Sequence, residues 1–215
     1  RSVLAIDFPA HGWSEGPALD SIAAMATWTA ALIEAAGLKS AALVGHSMGG
    51  MVAQKYLESH EAAGLVLLAS VPPQGLWAAA LGLAFQKPGV MSDLNSLLGG
   101  GRVALDTLRS AMFAQPVTTE DLARWYKRMQ PESHRAIWDM SLFDLPRPSL
   151  IGDLPLLVLG AEHDTLIPAS QVEMTARHYG VEAEIFPGMG HGLMLERDWE
   201  RPAGRILDWL GEQGL

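Results

Sequence analysis

Four short runs of near-continuous apolar character, SVLAID (2–7), SAALVG (40–45), GLVLLAS (64–70) and LPLLVLG (154–160), constrain this 215-residue chain more than any other feature. A strand that alternates apolar and polar residues buries one face. An unbroken branched run must be covered on both, which calls for helical crossovers on either side of a parallel sheet. A fifth run, VEAEIF (181–186), alternates more and is expected nearer an edge. Helical periods separate the runs. Ile22, Met25, Thr29, Leu32 and Ala36 recur at three- and four-residue steps ahead of Gly37. Met51, Val52, Tyr56 and Leu57 mark 48–59 as a helix, Ala169, Val172, Ala176 and Tyr179 mark 168–179, and Ile206, Leu207 and Leu210 mark 200–210. This order of strands and helices, broken once in the middle, predicts an α/β fold with a mostly parallel sheet and helices on both faces.

The break, 71–150, carries no strand pattern. Helices are expected over 76–86, 102–113, 119–130 and 132–142, separated by Pro88, three consecutive glycines, Pro116 and Pro131. The chain therefore divides into a core of 1–70 and 151–215 and a helical insertion of 71–150 lying as a cap over one end of the sheet. Its Trp77, Phe85, Met91, Met112, Trp125, Met129, Trp138, Leu142 and Phe143 either line an apolar pocket or hold the insertion to the body.

Composition removes whole classes of function. Fifteen basic against 24 acidic residues give a net charge of −9, which repels phosphate backbones and argues against nucleic-acid binding. The chain has no cysteine, so disulfides and thiol chemistry are impossible; the lack suits a reducing compartment, and a cytoplasmic location is expected. No run approaches the roughly 18 consecutive apolar residues of a membrane span, so no stable membrane insertion is expected. Neither HExxH nor a phosphate-binding glycine loop occurs, and no metal or cofactor is expected.

The chemistry is concentrated in three loops. Gly45-His46-Ser47-Met48-Gly49 fits G-x-S-x-G, with an apolar strand before it and a helix pattern after it. A serine at so sharp a turn is pushed toward a cleft, but its hydroxyl needs a base and an oxyanion donor, and the Met48 N–H at the helix start is one such donor. Asp164, in GAEHDTLIP, follows the 154–160 strand at the end where open α/β sheets place their sites. His191, in PGMGHGLMLE, follows the last strand. Asp139 and Asp144 are alternative acids. His46 and His11 read as loop-shaping residues, with His46 and Leu166 also close enough in sequence to the site to line its pocket.

These motifs, with DFPAHGWSEG, resemble the α/β-hydrolase superfamily along essentially the whole chain, and within it the cap-bearing esterases, lipases and lysophospholipase-like members. The family's turn reads D-x-P-G-H-G-x-S, and here Ala10 replaces the glycine. The resemblance implies Ser47 as nucleophile, Asp164 as acid, His191 as general base and Met48 as oxyanion donor. The expected reaction is cleavage of a hydrophobic carboxylic ester through an acyl-enzyme. Perhydrolysis, thioester or C–C hydrolysis on the same fold, and an inactive binding protein, are the alternatives. The expected partner is a small hydrophobic ester, and the expected state a monomer or small homo-oligomer. The resemblance also implies strands ahead of the D-x-P turn, one of them lying between 2–7 and 40–45, and an H-G loop supplying the second oxyanion N–H. With those N-terminal strands missing here, the expectation is that a second polypeptide supplies them after cleavage, or that this chain is a piece of a longer one.

Overall fold

The computed structural model describes residues 2–86, 89, 104–130 and 132–215. Helix α1 (Ile22–Ala35) starts where the Ser21 hydroxyl accepts the Ala24 amide at 3.2 Å. Past its last turn Gly37 takes φ +65°, a left-handed conformation that glycine adopts without a Cβ penalty. Strand β1 (Ala42–His46) leads into α2 (Met48–Tyr56), and β2 (Gly64–Leu68) follows. After the long central segment come β3 (Leu156–Ala161), α7 (Ala169–His178), β4 (Ala183–Phe186) and α8 (Glu200–Glu212). The four strands pair in parallel in the order β1-β2-β3-β4.

The unbroken runs of β2 and β3 are covered on both faces, as their composition requires. Successive side chains leave a strand on opposite sides. Leu65 and Leu67 accordingly pack with Ile22, Met25, Met51, Val52 and Val172 on one face. Val66 and Leu68 pack with Leu159, Met189, Leu193 and Trp209 on the other. Each fully buried side chain of this kind contributes about 1.5–3 kcal/mol relative to an exposed one. Trp209 is the main inward residue of α8, whereas Leu207 faces out; Ala36, just past the end of α1, is likewise exposed.

Two strand expectations need correction. Residues 2–7 form no strand, and Val3, Leu4 and Ile6 are exposed. A strand exists only by pairing, and no described strand lies alongside this segment. The 40–45 run is not covered on both faces either: β1 is an edge strand and Val44 is 53% exposed. By contrast, the alternating 181–186 run does form the edge strand expected of it.

Within 71–150 the described elements are α3 (Trp77–Gln86), α4 (Leu105–Met112), α5 (Thr119–Tyr126) and α6 (His134–Trp138). Helix α6 runs on into a π-turn at Asp139–Phe143, closed by the Asp144 amide donating to the Asp139 carbonyl at 3.0 Å, and a 3₁₀ turn, Pro148–Leu150, precedes β3. Met91 and the triple glycine lie outside the described residues. Phe113 and Trp125 stack at 5.1 Å and join α4 to α5, so the half-buried Trp125 packs the segment together. Among the described residues no helix is long and apolar enough to cross a membrane.

Candidate active site

Ser47 occupies the one residue between β1 and α2, at φ +51° and ψ −121°. Such a backbone costs on the order of 1–3 kcal/mol and persists only when its surroundings over-determine it. Three bonds do so here. The Ser47 amide donates to the Leu68 carbonyl at 3.1 Å, and the Ser47 carbonyl accepts from Gly50 at 3.1 Å and Val71 at 3.0 Å. The turn is thus tied to the end of β2. Two glycines let α2 approach that closely: a Cβ on Gly45 would stand 2.6 Å from the Gly49 carbonyl oxygen, and one on Gly50 would overlap the Ser70 hydroxyl. Gly49, the second glycine of the sequence motif, has nothing within 4 Å of such a Cβ. Close packing therefore depends on Gly45 and Gly50, one residue beyond the motif. The Ser47 hydroxyl and the Met48 N–H have no hydrogen-bond partner among the described residues.

Asp164 follows β3 and is buried, with both carboxylate oxygens engaged. Oδ1 accepts the Leu166 and Ile167 amides, each at 2.8 Å, and Oδ2 accepts from His191 Nδ1 at 2.8 Å. A carboxylate on Nδ1 places the proton there and leaves Nε2 as the free lone pair of the neutral ring, the tautomer a general base requires. His191 is itself only 3% exposed. The alternative acids are committed elsewhere. Asp139 accepts from Ile22 N and Arg135 Nε, and Asp144 pairs with Lys55 at 2.7 Å.

His46 lies against the histidine loop. Its Nε2 bonds the His191 carbonyl at 2.9 Å, and the two rings sit 4.7 Å apart. Burial, with the nearby His191 charge adding to it, drives the His46 pKa down to about 3, so the ring is neutral and Nε2 donates to that carbonyl. His46 therefore shapes the loop, in keeping with one of its two readings. His11 and His163 sit near Glu132 and Glu162, and His60 stacks on Tyr56.

Of the residues expected to line a pocket, Leu166 is half-buried and its amide holds Asp164. Trp77, Phe85, Trp138 and Leu142 are exposed. Trp138 borders an open cavity of about 640 Å³ with Arg135, Asp139, Phe143 and Asp144, a lining that includes none of Ser47, Asp164 and His191.

Two buried polar groups next to the site escaped the sequence reading. Gln54 Nε2 donates to Ser70 Oγ at 3.1 Å and to the Val71 and Gly50 carbonyls, while its Oε1 accepts the Tyr179 hydroxyl at 2.8 Å, which braces α2 beneath the serine turn. Glu196 is 2% exposed and bonded to three amides. Its only sequence signal is an acid ending the apolar stretch GLMLE.

The serine turn after β1 and the buried Asp164–His191 pair after β3 and β4 lie at the carboxyl ends of parallel strands, where open α/β sheets place their sites. The model of the alpha/beta hydrolase family matches residues 1–206, and the chain belongs to that family. Among curated proteins it is similar to the dihydrolipoyllysine-residue acetyltransferase component of an acetoin cleaving system from Pseudomonas putida. The two are 31% identical over 215 positions, covering 91% of this chain and 53% of the relative, so the chain spans about half the length of that protein. Among solved structures it is similar to an esterase from Exiguobacterium antarcticum (TM-score 0.72, 20% identity, 95% of this chain and 80% of that one). It is equally similar in fold to a bromoperoxidase from Bacillus anthracis (TM-score 0.73, 18% identity, 95% and 80%).

Proposed function

We propose that this chain hydrolyses carboxylic esters with a hydrophobic acyl or alcohol group through an acyl-enzyme on Ser47. The observation that carries the reading is the buried His191–Asp164 bond, which readies a neutral imidazole on the loop beside a serine held in a strained turn. In this reading His191 Nε2 takes the Ser47 proton as Oγ attacks the ester carbonyl. Asp164 holds the imidazolium that forms. The Met48 N–H, free of any described acceptor and at the start of α2, donates to the oxyanion. Collapse of the tetrahedral intermediate breaks the C–O bond, and His191 returns the proton to the leaving alcohol. A water deprotonated by the same ring then attacks the acyl-serine and releases the acid. The 71–150 segment acts as a cap in this reading, its exposed Trp77 and Phe85 offering apolar surface to the substrate.

The test is intact-mass analysis after a fluorophosphonate probe on the parent chain and on Ser47→Ala. One adduct on the parent and none on the variant supports the nucleophile; no adduct on folded parent overturns it. A panel of p-nitrophenyl esters of graded acyl length then sizes the pocket. A second reading, peroxide replacing water at the acyl-enzyme, draws on the fold likeness to a bromoperoxidase. Peracid formation from acetate and peroxide distinguishes it.

A further inference from the structure

We infer that Glu196 is a positioning residue for the proposed base, joining the loop that carries His191 to the turn after α4. The inference rests on the reading of His191 as general base. Glu196 Oε1 accepts the Gly190 amide at 2.8 Å and the Ala114 amide at 2.7 Å, and Oε2 accepts the Gln115 amide at 3.0 Å. One carboxylate thus gathers donors from two separate parts of the chain. Gly190 directly precedes His191, while Ala114 and Gln115 belong to the 71–150 segment.

The surrounding bonds tighten the same junction. The Gly192 amide, on the other side of His191, donates to the Met112 carbonyl at 2.7 Å. A Cβ on Gly190 would stand 2.8 Å from the Ala114 nitrogen, so this glycine admits the 112–115 turn against the histidine loop. Gln115 also exchanges two bonds with Asp198, donating from Nε2 to Oδ2 at 2.9 Å and accepting the Asp198 amide at 3.1 Å. The acid's loop meets the same helix, through Thr165 Oγ1 donating to the Ala111 carbonyl at 3.2 Å.

A buried carboxylate is costly unless its lone pairs are used, and three amide donors use them here. Packing alone does not call for this: an apolar residue would fill the volume without a charge to satisfy. What an acceptor-only group with two oxygens does is hold amides that point toward one another, and no apolar side chain can do that. Removing it leaves three amides without their acceptor on both flanks of a loop whose imidazole must be placed to within a fraction of an ångström. Misplacement on the scale of 1 Å costs about 10²-fold in rate. The clamp ties the turn between α4 and α5 to the loop that carries the base.

The test compares Glu196→Gln, Glu196→Ala, His191→Ala and the parent by fluorophosphonate labelling rate, by kcat and KM on p-nitrophenyl butyrate, and by the pH profile of kcat/KM, with circular dichroism as a check on folding. Glu196→Gln keeps one acceptor oxygen and is the variant that holds the fold if Glu196→Ala does not. The expected result is a fall of about tenfold or more in labelling rate and kcat for Glu196→Ala, with KM within threefold. A smaller fall is expected for Glu196→Gln, and a displaced acid limb of the pH profile for both. If His191→Ala abolishes labelling while folded Glu196→Gln and Glu196→Ala keep the parent's labelling rate, kcat and pH profile, Glu196 is a stability residue only and the inference is overturned. If His191→Ala labels as fast as the parent, the base assignment falls and the clamp's role falls with it.

Discussion

The two flanks of Ser47 are built very differently. On the side of β3 and β4, Asp164, His191 and Glu196 are all nearly inaccessible, and the six hydrogen bonds that the two carboxylates accept are all 3.0 Å or shorter. On the side of β1, the strand edge is unpaired among the described residues, Val44 is half open to solvent, and residues 2–7 are exposed. Proton-transfer chemistry needs a ring of fixed tautomer and fixed position, and low exposure with saturated bonding provides both. A hydroxyl that must meet an incoming carbonyl needs an approach. The contrast teaches that order is concentrated around Asp164 and His191, where the proposed mechanism has the proton move.

The largest effects are expected from breaking the ordered flank. Asp164→Asn retains an oxygen for the Leu166 and Ile167 amides but presents an amide group to His191 Nδ1, which reverses the tautomer. A loss of about 10³–10⁴ in kcat against p-nitrophenyl butyrate is expected, with an unchanged circular dichroism spectrum. Loss below tenfold would show that the pair does not serve the chemistry.

Next comes the joint between the flanks. Gly50→Ala drives a Cβ into the Ser70 hydroxyl, which is itself held by Gln54, so neither partner yields easily. Destabilisation of about 1–3 kcal/mol is expected from urea unfolding midpoints. Gly49→Ala, with nothing within 4 Å, is expected to unfold with the parent, and equal losses at the two positions would refute the assignment of the close contact to Gly50.

The pH dependence of stability sharpens the comparison from the ordered side. His46 is held neutral in the fold with a pKa of about 3, against about 6.5 in an unfolded chain. Between those values the unfolded chain binds the extra proton, so stability from this group is complete above about pH 6.5 and is lost as pH falls toward 3. His46→Asn removes that titration. Urea midpoints at pH 7 and pH 5 should therefore fall further in the parent than in the variant; an equal fall in both would show that His46 is not buried as a neutral ring.

What the amino-acid sequence made legible follows the same division. The runs at 64–70 and 154–160 announce buried parallel strands because their branched residues leave no solvent face, and G-x-S-x-G, GAEHDTLIP and PGMGHGLMLE place Ser47, Asp164 and His191 at strand ends because each is a local pattern. Glu196 and Gln54 were illegible for the opposite reason. Each has a partner far off in sequence, Ala114 82 residues from Glu196 and Tyr179 125 from Gln54, and no local pattern marks an acid or amide that will be buried. SVLAID reads as a strand by composition, but pairing is a property of neighbours, and among the described residues no strand lies beside Val3 and Leu4, which are exposed.

The smallest expected effect lies on the open flank and is stabilising. Ala10 adopts φ +64° in the turn that places an alanine where the family's pattern has glycine, and its own amide donates to the Ser14 carbonyl at 3.1 Å while its carbonyl accepts from Gln130 Nε2 at 3.3 Å. An L-residue in the left-handed region costs about 1–2 kcal/mol, partly offset because glycine loses about 0.5–1 kcal/mol more backbone entropy on folding. Ala10 is exposed, so removing its methyl forfeits no core contact. Ala10→Gly is expected to raise stability by up to about 1 kcal/mol, or about 2–4 °C in Tm for a chain of this size. A rise confirms that the 8–14 turn is held in its observed conformation by bonds that outweigh the strain. A fall in Tm would mean that the methyl contributes something the exposed geometry does not reveal, and that the open flank is more tightly determined than its exposure indicates.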